Sequence, residues 1–178
     1  MSHHLKLLAM AQSAVNPAPM AAGRPSQAVL RRSVSTAYYA LFHFVGDAAA
    51  RQMVGSGTSS EMVARRHLLR RTLSHDQMTV FCRSVAGGTL GRLFQLPDGA
   101  GACFRPGTDL RDFARVVVRA KEQRQRADYD LNAPFDLSEA RDLVEDVARA
   151  ISGWRQIAAA DRAMFLMCAV LWPQLKDR

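Results

Sequence analysis

Apolar residues recur along this chain at three- and four-residue spacing, and no stretch alternates convincingly with the two-residue period of a strand. The pattern predicts an all-α fold, an up-and-down bundle of four to six helices in a single domain. Leu5–Val15 reads as a short amphipathic helix, ended by the Pro/Gly/Ala loop NPAPMAAGRP. Ser26 is placed to cap a long helix reaching about Val54. GSGTSS at 55–60 is a turn, and Thr58 with Glu61 has the spacing of a capping box for a helix from Glu61 to about Val85, with a bend near Ser74. The segment at about 87–107 has six glycines and two prolines and reads as a long flexible loop. Thr108 caps a helix over Asp109–Tyr129 that NAPF breaks. Asp136 and Glu139 give a second capping-box spacing, for Leu137–Ile157. A last helix over Asp161–Leu171 is closed by Pro173.

The long second helix raises a question. Its apolar sector is Leu30, Val34, Ala37, Leu41, Val45 and Ala48, flanked by Tyr38, Phe42 and Phe44. Arg32, Thr36, Tyr39 and His43 fall on the other side, within roughly 60° of one another at 100° per residue. A solvated face normally carries Glu and Lys, and this stretch has neither before Asp47. The stripe therefore suits a second contact surface, for a partner copy or a ligand, with Tyr38 turned to the core and Tyr39 to that surface.

The helix from Asp109 turns polar along its own apolar line. Leu110, Phe113, Ala114 and Val117 lead on to Lys121, Arg124 and Asp128. Arg124 and Asp128 stand one turn apart. They are either an ion pair that fixes helix register or a phosphate-facing arginine held by a carboxylate, since the guanidinium fork matches phosphate oxygens. Arg126 and Asp130 read as solvated charges.

Charge adds a third feature. The 178 residues carry a formal +8, and among 24 basic residues only Lys6, Lys121 and Lys176 are lysines. An arginine-rich surface favours phosphate, RNA or an acidic protein, although a general drift toward arginine would give the same composition. ARRHLLRRTLSH (64–75) concentrates four arginines and two histidines without one acid. Arg66 and Arg70 share one face, and His67, Arg71 and His75 another. This is either a nucleic-acid backbone site or a basic face that maintains solubility.

Cys82, Cys103 and Cys168 are far apart with no CxxC pair, which points away from a disulfide framework or zinc knuckle and toward a reducing cytoplasm. No secretory signal is visible. MFLMCAVLW (164–172) is too short to span a bilayer and reads as a buried terminal helix or a contact surface. His3 and His4 read as incidental residues of a frayed terminus. No metal or cofactor is expected, and no membrane association.

RRSVSTAYYALFH (31–43), RRTLSH (70–75) and RQRADYD (124–130) together resemble the HEPN domain family, in its prokaryotic branch of small proteins. The likeness spans about Leu5 to Trp154. It implies an all-α homodimer, metal-independent RNA cleavage as in toxin–antitoxin and defence systems, and a nucleotidyltransferase-like antitoxin as partner. The family signature is an arginine followed, after four to six intervening residues, by a histidine. Arg124 matches the arginine, whereas Tyr129, Asp130 and Leu131 stand where the histidine would fall. If it is an enzyme, His43 and His75 are the substitutes as base and acid beside Arg124. Tyr39, Asp128, Arg32, Arg66, His67, Arg70 and Arg71 are the candidates for holding substrate. The alternative is a non-catalytic dimerising bundle that binds a nucleotide or a protein partner.

Overall fold

A computed structural model of the chain describes residues 1–16, 24–88, 90, 94, 101, 104–130 and 132–175. Among them there is no strand. Seven α-helices run in order: α1 (His3–Val15), α2 (Gln27–Val54), α3 (Ser60–Arg70), α4 (His75–Gly87), α5 (Thr108–Tyr129), α6 (Leu137–Gly153) and α7 (Ala159–Leu175), with a 3-10 turn at Trp154–Gln156 before the last. The all-helical expectation holds, with one helix more than its upper bound.

The extra helix arises at Ser74, where the sequence suggests only a bend. Thr72 Oγ1 donates to Leu69 O at 2.7 Å, and Arg71 N turns back to Leu68 O. Ser74 then caps α4, its side chain accepting from Gln77 N. Hydroxyls that bond nearby backbone compete with the helical ladder in this way. The cap of α3 is Ser59, accepting from Met62 N, rather than Thr58. Helix α6 ends at Gly153, four residues earlier than expected. Pro173 lies inside α7 instead of closing it; it falls in the final turn, where little helix remains to be disturbed.

The chain divides into two compact units, 1–44 with 116–152 and 45–115 with 153–178. In the first, the core is built from Leu8, Val15, Leu30, Val34, Tyr38, Leu41, Val117, Phe135, Leu143 and Val147. Polar closures fix its helix ends. The Gln27 amide both donates to Phe135 O and accepts from Phe135 N, each at 2.8 Å. Arg31 donates to the carbonyls of Ala127, Asp130 and Ala133, satisfying the end of α5. Arg141 does the same for Val15 O of α1 at 3.0 Å. Arg126 is not a solvated charge: it pairs with Glu139, donates to Pro134 O and lies 4.4 Å from the Phe135 ring centre. Asp130 caps the turn after α5 by accepting from Asn132 N and Ala133 N.

In the second unit an aromatic cluster forms the core. Phe81, Phe113, Trp154, Phe165 and Trp172 meet at centroid distances from 4.7 to 5.8 Å. Burying each such ring contributes roughly 1.5–3 kcal/mol. The apolar segment 164–172 is thus largely core, with Phe165, Leu166, Cys168, Ala169 and Trp172 buried. Gly88 ends α4 at φ 69°, a left-handed position that favours glycine. Much of the expected loop at 87–107, and Cys103 with it, lies outside the described residues. Of its described residues, Leu90, Phe94 and Phe104 are buried.

Candidate functional site

A polar pocket belongs to the first unit. It has a volume of about 250 Å³ and is lined by His3 and Leu7 of α1 and by Arg32, Ser35, Thr36, Tyr39 and His43 of α2. The whole stripe predicted on α2 therefore opens onto one cavity. Seven-residue and four-residue spacings align these side chains on one helix face. Arg32 is exposed at one end, and Thr36 and Ser35 form a buried hydroxyl floor.

The other wall of this pocket is invisible to pattern reading. His3 is not at a frayed end: it lies in the first turn of α1, and its ring meets His43 edge-on at 4.8 Å. His4 packs similarly against Phe44 at 5.3 Å. The Tyr39 and His43 rings are near-parallel, with centroids 6.4 Å apart. Tyr38, by contrast, is 1% exposed in the core.

Arg124 joins this group from α5. Its Nη2 donates to Tyr39 Oη at 3.0 Å. Its Nε lies 2.6 Å from Asp128 Oδ2, an ion pair whose angle misses the hydrogen-bond line. The guanidinium carbon is 5.6 Å from the Tyr39 ring centre and 5.4 Å from that of Tyr129, so the cation sits by two aromatic rings. Partial burial lowers the Arg124 pKa, but the Asp128 carboxylate, then Tyr39 and Tyr129, act against it and leave it above the ordinary arginine value. Arg124 is a permanent cation here, and its donors hold the Tyr39 hydroxyl in place.

Arg124, Asp128, Tyr39, His43 and Arg32 are thus brought into one unit, whereas His75 starts α4 in the other. The chemistry available in the first unit is cationic and hydrogen-bonding. It offers a guanidinium at the pocket mouth, two imidazoles, hydroxyls and a tyrosine ring, and none of the lining residues is acidic. Among the described residues no three His, Cys, Asp or Glu side chains gather as a metal site.

The basic stretch at 64–75 separates into different roles. Arg66 is 6% exposed and donates to Gly55 O at 2.8 Å, so it is a brace beneath the turn and not an open phosphate contact. Gly55 itself takes φ 93° after α2. Arg70 meets Asp47 Oδ1 at 2.6 Å. The break at Ser74 separates Arg71 from His75, so the three-residue line His67–Arg71–His75 does not form. His67 on α3 and Arg71 at its C-cap remain together on one surface.

No helix among the described residues is long and apolar enough to cross a membrane. No family model matches the chain, and neither a curated protein nor a solved structure matches it at a significant level.

Proposed function

We propose that the chain is a HEPN-like helical protein that binds RNA, seating a phosphate at the mouth of the α1–α2 pocket. The observation that carries this reading is the lining. Its one permanently charged member is the exposed Arg32, it has no carboxylate, and Tyr39 and His43 line it beside Arg32. A guanidinium supplies forked donors to phosphate oxygens. Aromatic rings beside it suit an unstacked base, the usual target in single-stranded RNA. In this reading Arg124 is a positioning residue, because it acts on the pocket through Tyr39. Where the protein also cleaves, His43 and His3, which both line the pocket, are the imidazoles available for proton transfer, and the working form is a homodimer whose partner is a nucleotidyltransferase-like antitoxin.

The test is labelled single-stranded RNA, with anisotropy for binding and gel analysis in EDTA for cleavage. Wild type binds, and Arg32→Ala weakens binding about tenfold, the scale of one good phosphate contact. Absence of binding by the wild type defeats the reading. A second reading, a bundle that binds a nucleotide without cutting RNA, is favoured by the absence of any histidine on α5. Binding without cleavage in EDTA selects it.

A further inference from the structure

We propose that the exposed face of α3 is a docking surface for an acidic amphipathic helix of a partner protein. The face is distinct from the pocket above and belongs to the other unit. Ser60, Val63, Ala64, His67, Leu68 and Arg71 line a shallow, open groove along one face of the helix. Val63 is 50% and Leu68 67% exposed, large apolar side chains left in water on an 11-residue helix. Exposed apolar groups gathered along one groove mark interaction sites.

Charge selects the occupant. Three arginines of 60–71 already have oxygen acceptors: Arg65 with Glu61, Arg66 with Gly55 O, and Arg70 with Asp47. Arg71 and His67 have no such acceptor among the described residues, and these two are the basic groups that line the groove. No acid lies in the lining. A second copy docked through the same face brings no carboxylate to meet Arg71 or His67, because that face carries none. Nucleic acid fits poorly, since the groove offers Val63, Ala64 and Leu68 and no Phe, Tyr or Trp for base stacking. An amphipathic helix with apolar residues at i and i+4 flanked by Glu or Asp satisfies both parts of the surface at once.

The experiment uses the full chain and a fluorescein-labelled Leu/Glu amphipathic peptide of about 14 residues, roughly four helical turns, followed by anisotropy. A Leu/Lys peptide of identical pattern is the control. Wild type binds the acidic peptide saturably and the basic one at least about tenfold more weakly. Arg71→Glu and Leu68→Ser, both at exposed positions, each reduce acidic-peptide affinity about tenfold, with helix content by circular dichroism unchanged. Equal binding of the two peptides, no saturable binding by the wild type, or wild-type affinity in Arg71→Glu overturns the proposal. So does loss of RNA binding in Arg71→Glu when the acidic peptide does not bind, which assigns the face to nucleic acid.

Discussion

Arg124 on α5 and Tyr39 on α2, 85 residues apart in sequence, are joined by a 3.0 Å hydrogen bond from guanidinium to phenol. The bond ties the polar end of an apolar stripe to the wall of a pocket. Tyr39→Phe keeps the ring beside Arg124 and removes its acceptor. Hydrogen bonds to charged groups contribute about 1.5–3 kcal/mol, and urea denaturation should register a loss of that order. In a double-mutant cycle, Arg124→Ala and Tyr39→Phe should be non-additive; strict additivity would mean that the bond does no work in solution.

The Gln27 amide makes both a donor and an acceptor bond to the backbone of Phe135, a residue 1% exposed. Gln27→Ala strands both groups, and each orphaned polar group costs about 1–3 kcal/mol. Gln27→Glu keeps the acceptor but turns a carboxylate oxygen toward Phe135 O. Both variants should lower the denaturation midpoint. Both tryptophans, Trp154 and Trp172, lie in the second unit. Circular dichroism is therefore the required probe, because fluorescence reports on the other unit.

Burial pushes the Cys82 thiol well above the ordinary cysteine value. In the unfolded chain it ionises near pH 8.5, so above that pH the unfolded state binds fewer protons than the folded one. Stability is then unaffected by Cys82 below about pH 8.5 and falls above it, by at most ~1.4 kcal/mol per pH unit. Equilibrium unfolding at a series of alkaline pH values should show this slope, and Cys82→Ala should reduce it. An unchanged slope in the variant would place the alkaline sensitivity elsewhere. A thiol reagent should label Cys82 in the unfolded chain and spare it in the folded one.

Ser59 and Ser74 supply the side-chain caps of α3 and α4. Loss of such a cap costs about 1 kcal/mol. Ser74→Ala should lower the melting temperature by a few degrees, since that energy is a sizeable share of a small unit's stability. An unaltered melting temperature would mean that water replaces the cap.

Much of this organisation is legible in the sequence where chemistry is local. The bounds of α2 follow from Ser26 and Gly55, and the stripe of Arg32, Thr36, Tyr39 and His43 from periodicity alone. The break between α3 and α4 is hidden, because apolar spacing continues across it and one serine carries the signal. The histidine opposite His43 is hidden for another reason: His3 is informative only once α1 and α2 are placed side by side. Arginines are the least legible of all. Arg66, Arg70 and Arg71 read alike as a basic run, yet one is a buried brace, one an ion-pair partner and one lines a groove. What separates them is a carbonyl or carboxylate that folding brings up from elsewhere in the chain.

Those closures have a consequence for how the protein responds to ions. Arg31, Arg66, Arg126, Arg141 and Arg162 all donate to backbone carbonyls, so a good part of the positive charge terminates helices and turns. Such cations keep their charge but have their donors engaged before any polyanion arrives, so they make few phosphate contacts and displace few of the polyanion's counterions. On the proposed reading, the steepness with which added salt weakens RNA binding should therefore track the few outward-facing arginines and fall well short of the formal +8. For the same reason a version of the chain with lysine in place of arginine would keep its charge and lose its helix ends, since an ammonium lacks the planar fork that spans several carbonyls at once.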